Sequence, residues 1–552
     1  MKRFSFLLFI CFFGLGLIAQ TNTLPGWAVE LKNQEIVDSI IPFPEDPKGP
    51  NTSSFAVYYH QPLSHANPSG VQFELRAIVI VDKEKDPKTS VNHVYISGYN
   101  IMPSYVARPD SVFALKDNCA TEIAHRYRAT QIHLEHRYFD FSSPDECWTQ
   151  LDYCKADEAT EDFHNIIEAF KKVFKGKWVI SGVSKGGITT LLQHSFHPED
   201  ADIFVPYSAP FFTTDRDSVM QHYWYNNGWS PEFLDLFMNI RKTGIANRET
   251  IFPIYIKKMF GDNCPDVLKN YFYGMYLSNI AEFGNTEHAS SDTISIRKQM
   301  HANDSILNKI NMSINDTIYA YMLNVSFGLD NFPAWLADLR NKNAQQAPAR
   351  NISIRHYYPF GITEEQWKGQ EAIPVTAYAY QAKCELGYFD CRFEELGKDE
   401  AEGKALNEYW KTHYDCYHNL IRPYFTSCPF SRDLYDFAMN KTENATKPVI
   451  LIYGLDDTWT GAAVKDEYIN GTNVKKFILP AQNHSARFTS DTDPILCDEI
   501  RDILDDVLDT TTGIEDTDSR QWTIKSQKIL RNGQIYILRG DKVYTLQGQE
   551  LK

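Results

Sequence analysis

Six residues restrict this chain more than any others: Gly182-Val183-Ser184-Lys185-Gly186-Gly187. They join an apolar run of buried-strand type, Trp178–Gly182, to a stretch of helical periodicity, Lys185–His197. A serine with glycines two positions to either side, between a strand and a helix, describes a strained turn in which larger residues would collide with neighbouring strands. Such a turn exposes the serine Oγ at the C-terminal edge of a sheet. It also aims the next N–H, that of Lys185, at the place where negative charge would develop on a bound carbonyl. The plain alternative is a glycine-rich turn whose serine only caps the helix after it.

The surrounding pattern decides between these readings. Strand-type runs cover Phe55–Tyr59, Val71–Val81, His93–Ser97 and Gln131–Glu135, with a helix over Ser111–Arg128. In Ala156–Phe174 the residues Phe163, Ile166, Ile167, Phe170, Val173 and Phe174 fall on one helical face. A further strand covers Ile203–Ala209. Continuous apolar strands alternating with helices predict an α/β fold with a parallel sheet covered on both faces. From 215 to 445 the pattern is aromatic-rich and helical in period, as in Trp229–Met238 and Trp335–Leu339, which predicts a large, mostly helical cap inserted into the sheet domain or a separate domain. The sheet pattern returns at Pro448–Tyr453 and Lys476–Leu479, followed by a helix over Pro494–Leu508. The division expected is a leader at 1–19, a core in two parts at 20–214 and 446–510, the cap at 215–445, and a tail at 511–552. In the tail, short apolar runs separated by Asn532-Gly533 and Gly540-Asp541 read as a small β-meander of two or three strands.

The returning strands carry the other two groups that an activated serine needs. One ends at Gly454-Leu455-Asp456-Asp457, and the next runs into Pro480-Ala481-Gln482-Asn483-His484. The chain order Ser, Asp, His, each member past a strand end, is that of an α/β-hydrolase fold. Ser184, one of the two carboxylates Asp456 and Asp457, and His484 are therefore the expected catalytic residues. The Lys185 N–H and one from the loop after His93–Ser97, that of Tyr99, are the expected oxyanion donors.

Composition narrows the partners. The 552 residues carry a formal charge of −16, which argues against a nucleic-acid binder, and 43% hydrophobic with 23% charged residues fits a folded chain. Lys2-Arg3, an apolar run from Phe4 to Ala19 and a small residue at its end have the layout of a signal peptide. At about 16 residues the run is shorter than the roughly 20 of a spanning helix. Export to the periplasm, cell surface or medium is expected, with no membrane insertion afterwards. Outside the leader nine cysteines remain, with Cys147/Cys154 and Cys384/Cys391 as candidate disulfides. No C-x-x-C or H-E-x-x-H occurs, so neither a metal nor another cofactor is expected.

Ser184 with Lys185-Gly186-Gly187, the run His197-Pro198-Glu199-Asp200-Ala201-Asp202, and Tyr207–Pro210 resemble the secreted bacterial prolyl tri/tetrapeptidyl aminopeptidase family. Asp457-Thr458-Trp459-Thr460-Gly461-Ala462-Ala463-Val464 is similar to the acid loop of the related lysosomal prolyl carboxypeptidase group, and that likeness selects Asp457 over Asp456. Glu135-His136-Arg137-Tyr138 is similar to a segment that both groups share. Thr458 stands where those relatives have proline, and alanines replace two glycines, which affects loop shape more than chemistry. The resemblance implies a serine peptidase acting on peptides with a free amino end, cut a few residues in and often after proline. Beside it, Trp459 would line a pocket for a proline ring, or simply pack in the core. Glu135 would receive the substrate ammonium, or pair internally with Arg137. The tail is similar to C-terminal sorting segments of proteins exported by Bacteroidetes. A carboxylesterase or lipase with the same triad, and a non-catalytic surface binding protein on a hydrolase scaffold, are the other two classes weighed.

Overall fold

The computed structural model describes residues 24–43, 52–99, 101, 120–139, 142–144, 151–220, 377–388, 393–413, 429–469, 473–489 and 493–508, strands between 526 and 551, and scattered positions elsewhere. Within these, nine strands form one sheet: β1 (Val37–Pro42), β2 (Thr52–Pro62), β3 (Gln72–Asp82), β4 (Asn92–Ile96), β5 (Thr130–Leu134), β6 (Trp178–Val183), β7 (Ile203–Tyr207), β8 (Val449–Gly454) and β9 (Val474–Leu479). Their order is β1-β2-β3-β5-β4-β6-β7-β8-β9.

The expected parallel sheet is present and is extended by antiparallel strands on one side. β1, β2, β3 and β5 pair antiparallel in succession, whereas β5, β4, β6, β7, β8 and β9 run parallel. Buried strands are apolar whichever way their neighbours run, so composition alone does not give direction. The short connection between β2 and β3 does, because a parallel pair needs a long crossover. The mixed sheet with helical crossovers is that of an α/β hydrolase.

Side chains alternate between two cores. Trp178 and Ile180 of β6, and Val449, Leu451 and Tyr453 of β8, enter one apolar layer with the helix Ala156–Val173. Val179, Ile450 and Ile452 enter the opposite layer with the helix Pro494–Leu508. The period-2 alternation places both faces of the central strands out of water, and successive strand ends align at one edge of the sheet.

The leader lies outside the described residues, as do Cys147 and Cys391, one member of each candidate disulfide. Of the interval 215–445, the helices Ala377–Gln381, Glu400–His413 and Asp433–Glu443 are described, and most of the expected cap lies outside. The tail forms an antiparallel meander of four strands, β10 (Ser526–Arg531), β11 (Gln534–Arg539), β12 (Lys542–Thr545) and β13 (Glu550–Leu551), one more than expected.

Candidate active site

Ser184 occupies the single position between β6 and the helix Lys185–Phe196, at φ 58° and ψ −121°. A left-handed φ on a residue with a Cβ is strained, and the flanking glycines show why it is tolerated here. A Cβ on Gly182 would overlap the Gly186 carbonyl, and one on Gly186 would overlap the Ile96 carbonyl. Three of the five non-glycine residues with positive φ among the described residues, Ser184, Ser208 and Ala481, lie in loops that make the site.

Asp457 follows β8 and is fully buried. Its Oδ1 accepts the Trp459 N–H at 3.0 Å, and its Oδ2 lies 2.8 Å from Nδ1 of His484. A carboxylate only accepts, so Nδ1 carries the proton and Nε2 presents a lone pair. Asp456, its neighbour, donates its backbone N–H to the Gln482 carbonyl at 2.8 Å.

The serine and histidine loops meet on consecutive residues at the C-terminal end of β7. The Ser184 N–H donates to the Tyr207 carbonyl at 2.9 Å. The Ser208 hydroxyl donates to the His484 carbonyl at 3.1 Å. The sequence-expected triad residues are thus gathered at one edge of the sheet, with the pair His484–Asp457 already hydrogen-bonded.

Behind this junction lies Glu122, which sequence reasoning missed. Its carboxylate accepts the Tyr207 hydroxyl at 2.7 Å, the Thr489 N–H at 3.1 Å and the Thr489 hydroxyl at 2.9 Å. One buried acid therefore ties the loop after His484 to the strand that carries the serine's anchor. Burial pushes its carboxyl up to about 7, against the pull of these donors. An acidic residue on the apolar face of Ala120–Tyr127 was the only signal in the sequence.

The remaining expected residues fare differently. The Trp459 ring lies 5.9 Å from that of His484, so it borders the site. It ends a run of ring contacts that continues through Tyr388 and Tyr378 to Tyr99. The Tyr99 N–H donates to the Ser97 hydroxyl at 3.3 Å, within its own turn. Glu135 requires correction. It is fully buried, and its oxygens accept from Arg76 at 2.7 Å, the Ile101 N–H at 2.8 Å and Ser142 at 3.0 Å. A carboxylate so enclosed does not face a substrate amine. Its ion pair is with Arg76, not Arg137, because the β3–β5 register puts Arg76 beside it, and Arg137 turns to Asp162 at 2.6 Å. The clusters of metal-ligand side chains among the described residues contain no triad member.

Comparison with known proteins fits this geometry. Residues 28–255 match the PS-10 peptidase S37 family. That stretch includes Ser184 and stops short of Asp457 and His484, whose assignment stands on their loops and their hydrogen bond. The chain is 26% identical over 200 residues to the prolyl tri/tetrapeptidyl aminopeptidase of Streptomyces mobaraensis, across 36% of this chain and 38% of that protein's length. It therefore spans well under half of that relative. Among solved structures, the proline iminopeptidase of Mycobacterium smegmatis superposes at TM-score 0.33 with 11% identity, over 85% of this chain and 98% of that one. Candida antarctica lipase A does so at 0.30 with 11% identity, over 81% and 77%. Superpositions this loose add nothing to the topology described above. Over residues 28–255, which carry the serine turn, the chain is thus similar to the PS-10 peptidase S37 family and to a prolyl tri/tetrapeptidyl aminopeptidase.

Proposed function

We propose that this protein is a serine exopeptidase that releases tri- or tetrapeptides from free N-termini, with proline at the cleavage site, through an acyl-enzyme. The observation that carries the reading is a strained Ser184 joined through Tyr207 and Ser208 to a His484 already oriented by a buried Asp457. In this mechanism Ser184 Oγ attacks the scissile carbonyl and His484 Nε2 accepts its proton. The same proton passes to the leaving amine, and water then releases the peptide acid by the reverse sequence. Asp457 holds the tautomer and stabilises the imidazolium. The Lys185 N–H and a donor from the loop after β4 receive the oxyanion. Trp459, beside the histidine, offers a flat aromatic face to a proline ring. Export through the N-terminal leader belongs to the same proposal.

The test is a reporter panel: an Ala-Ala-Pro amide with a free amine, its acetylated twin, and an acyl ester. The free peptide should exceed the blocked one in kcat/KM by at least tenfold, since a partly buried ammonium–carboxylate contact is worth a few kcal/mol at an effective dielectric near 20. Equal turnover of both peptides would make it an endopeptidase. Turnover of the ester alone would return it to the carboxylesterases.

A further inference from the structure

Lys185 follows the nucleophile, and only its backbone N–H has been given a role so far. Its side chain is the unusual part. It is 1% exposed, although it belongs to a residue type that is rarely buried without a carboxylate partner. Its Nζ donates to the carbonyl of Gly98 at 2.5 Å and lies 5.5 Å from the Tyr99 ring and 5.1 Å from the Phe139 ring. Gly98 lies two residues past β4, at φ +74°, where an added Cβ would overlap the backbone N of Gly186. One ammonium therefore grips the backbone of the loop facing the nucleophile turn, and two aromatic faces stabilise its charge where water is absent.

We propose that the Lys185 side chain is a positioning residue, clamping the loop after β4 onto the nucleophile turn so that the second oxyanion donor is fixed before substrate arrives. This rests on the serine-hydrolase reading above. The Gly98–Tyr99 peptide plane is held at its carbonyl by Lys185 and at its N–H by the Ser97 hydroxyl, which fixes the loop that would carry the second donor; preorganised dipoles of this kind are usually the largest single contribution to catalysis. Fold stability alone would favour an apolar residue here, since burying an ammonium is costly. Burial pulls the Lys185 ammonium down to about 7. Cys154 and Glu385 oppose that shift, and His136 also faces it, held neutral by burial and by the Lys185 charge. Glu385 is itself pushed up by burial, to about 8. Losing the proton leaves a neutral amine that still donates to Gly98 but no longer polarises it. The clamp thus weakens as pH rises through the neutral range.

The experiment compares wild type, Lys185→Met and Lys185→Arg in three measurements. They are the pH profile of kcat on the acetylated peptide, which has no amine of its own to titrate, the melting temperature, and the rate at which a fluorophosphonate labels Ser184. Wild type should show a falling limb beginning near pH 7. Lys185→Met should melt no lower than wild type, lose about 10²–10³ in kcat with KM within threefold, label correspondingly slowly, and lack the falling limb. Lys185→Arg, charged throughout, should recover part of kcat and also lack the limb. A Met variant with wild-type kcat and labelling, or one in which only KM changes, overturns the clamp and leaves the hydrolase reading intact. A falling limb that persists in both variants also overturns it. If the Met variant does not fold, the Arg variant and the wild-type limb decide. Wild-type protein that the fluorophosphonate does not label brings down the hydrolase reading and the clamp with it.

Discussion

Ser184 and His484 reach the same place by opposite constructions. The serine is held by backbone: a turn of six contiguous residues, glycines that let β4 and the following helix touch it, and a main-chain bond to Tyr207. The histidine is held by side chains. Asp457 grips its ring, Ser208 grips its carbonyl, and Glu122, more than 300 positions away in the chain, holds the loop beyond it. Backbone geometry of this kind is steric and tolerates little variation. A side-chain network is electrostatic and titrates. The nucleophile's place should therefore be insensitive to pH, and the base's place sensitive to it.

The largest effect expected is that of Ser184→Ala. Turnover should fall by on the order of 10⁴–10⁶ with the melting temperature nearly unchanged, since one hydroxyl on a strained turn adds little stability. Hydrolysis by the purified variant would remove the elbow from the comparison. Next comes Asp457→Asn, with an expected loss of about 10⁴ from the wrong tautomer, and far less for Asp456→Asn. The reverse ranking in kcat would mean that the base side is gripped by the other carboxylate.

On the backbone side, Gly186→Ala should destabilise by about 1–3 kcal/mol, because the added carbon meets the Ile96 carbonyl and neither main chain can move aside. An unchanged denaturant midpoint would show that the turn is looser than its sterics. The smallest effect, about tenfold in kcat, is expected for Glu122→Gln, whose amide would face donors with a donor. The sign with pH is definite. The folded carboxyl titrates near 7 against 4.5 as its ordinary value, so the native state holds an extra proton between these values. The stability this group contributes is full below about 4.5 and is lost as pH rises through about 7. Melting curves of wild type minus the Gln variant should decline from pH 5 to pH 8, and a rising difference would contradict the assignment.

Much of this was legible beforehand, and the misses have a common cause. The helix Ala156–Val173 and the strand–turn–helix at Ser184 sit where periodicity puts them, because both signals are confined to neighbouring residues. The Asp457–His484 pair was found through chain order, strand ends and the likeness of the acid loop to that of a known family. The partner of Glu135 was not, since Arg76 becomes its neighbour only through the antiparallel β3–β5 register.

The amino-acid sequence by itself determined the serine turn, the chain order of the three proposed catalytic side chains and the layering of the sheet, since glycine sterics and apolar periodicity act over a few residues. Only the tertiary structure decided the antiparallel pairing of β3 with β5, the buried hub at Glu122 and the grip of Lys185 on Gly98. Each of these depends on which groups become neighbours after water is excluded. A hydrogen bond or ion pair between distant residues is chosen by the register and packing of the elements that carry them, and no local pattern encodes that choice.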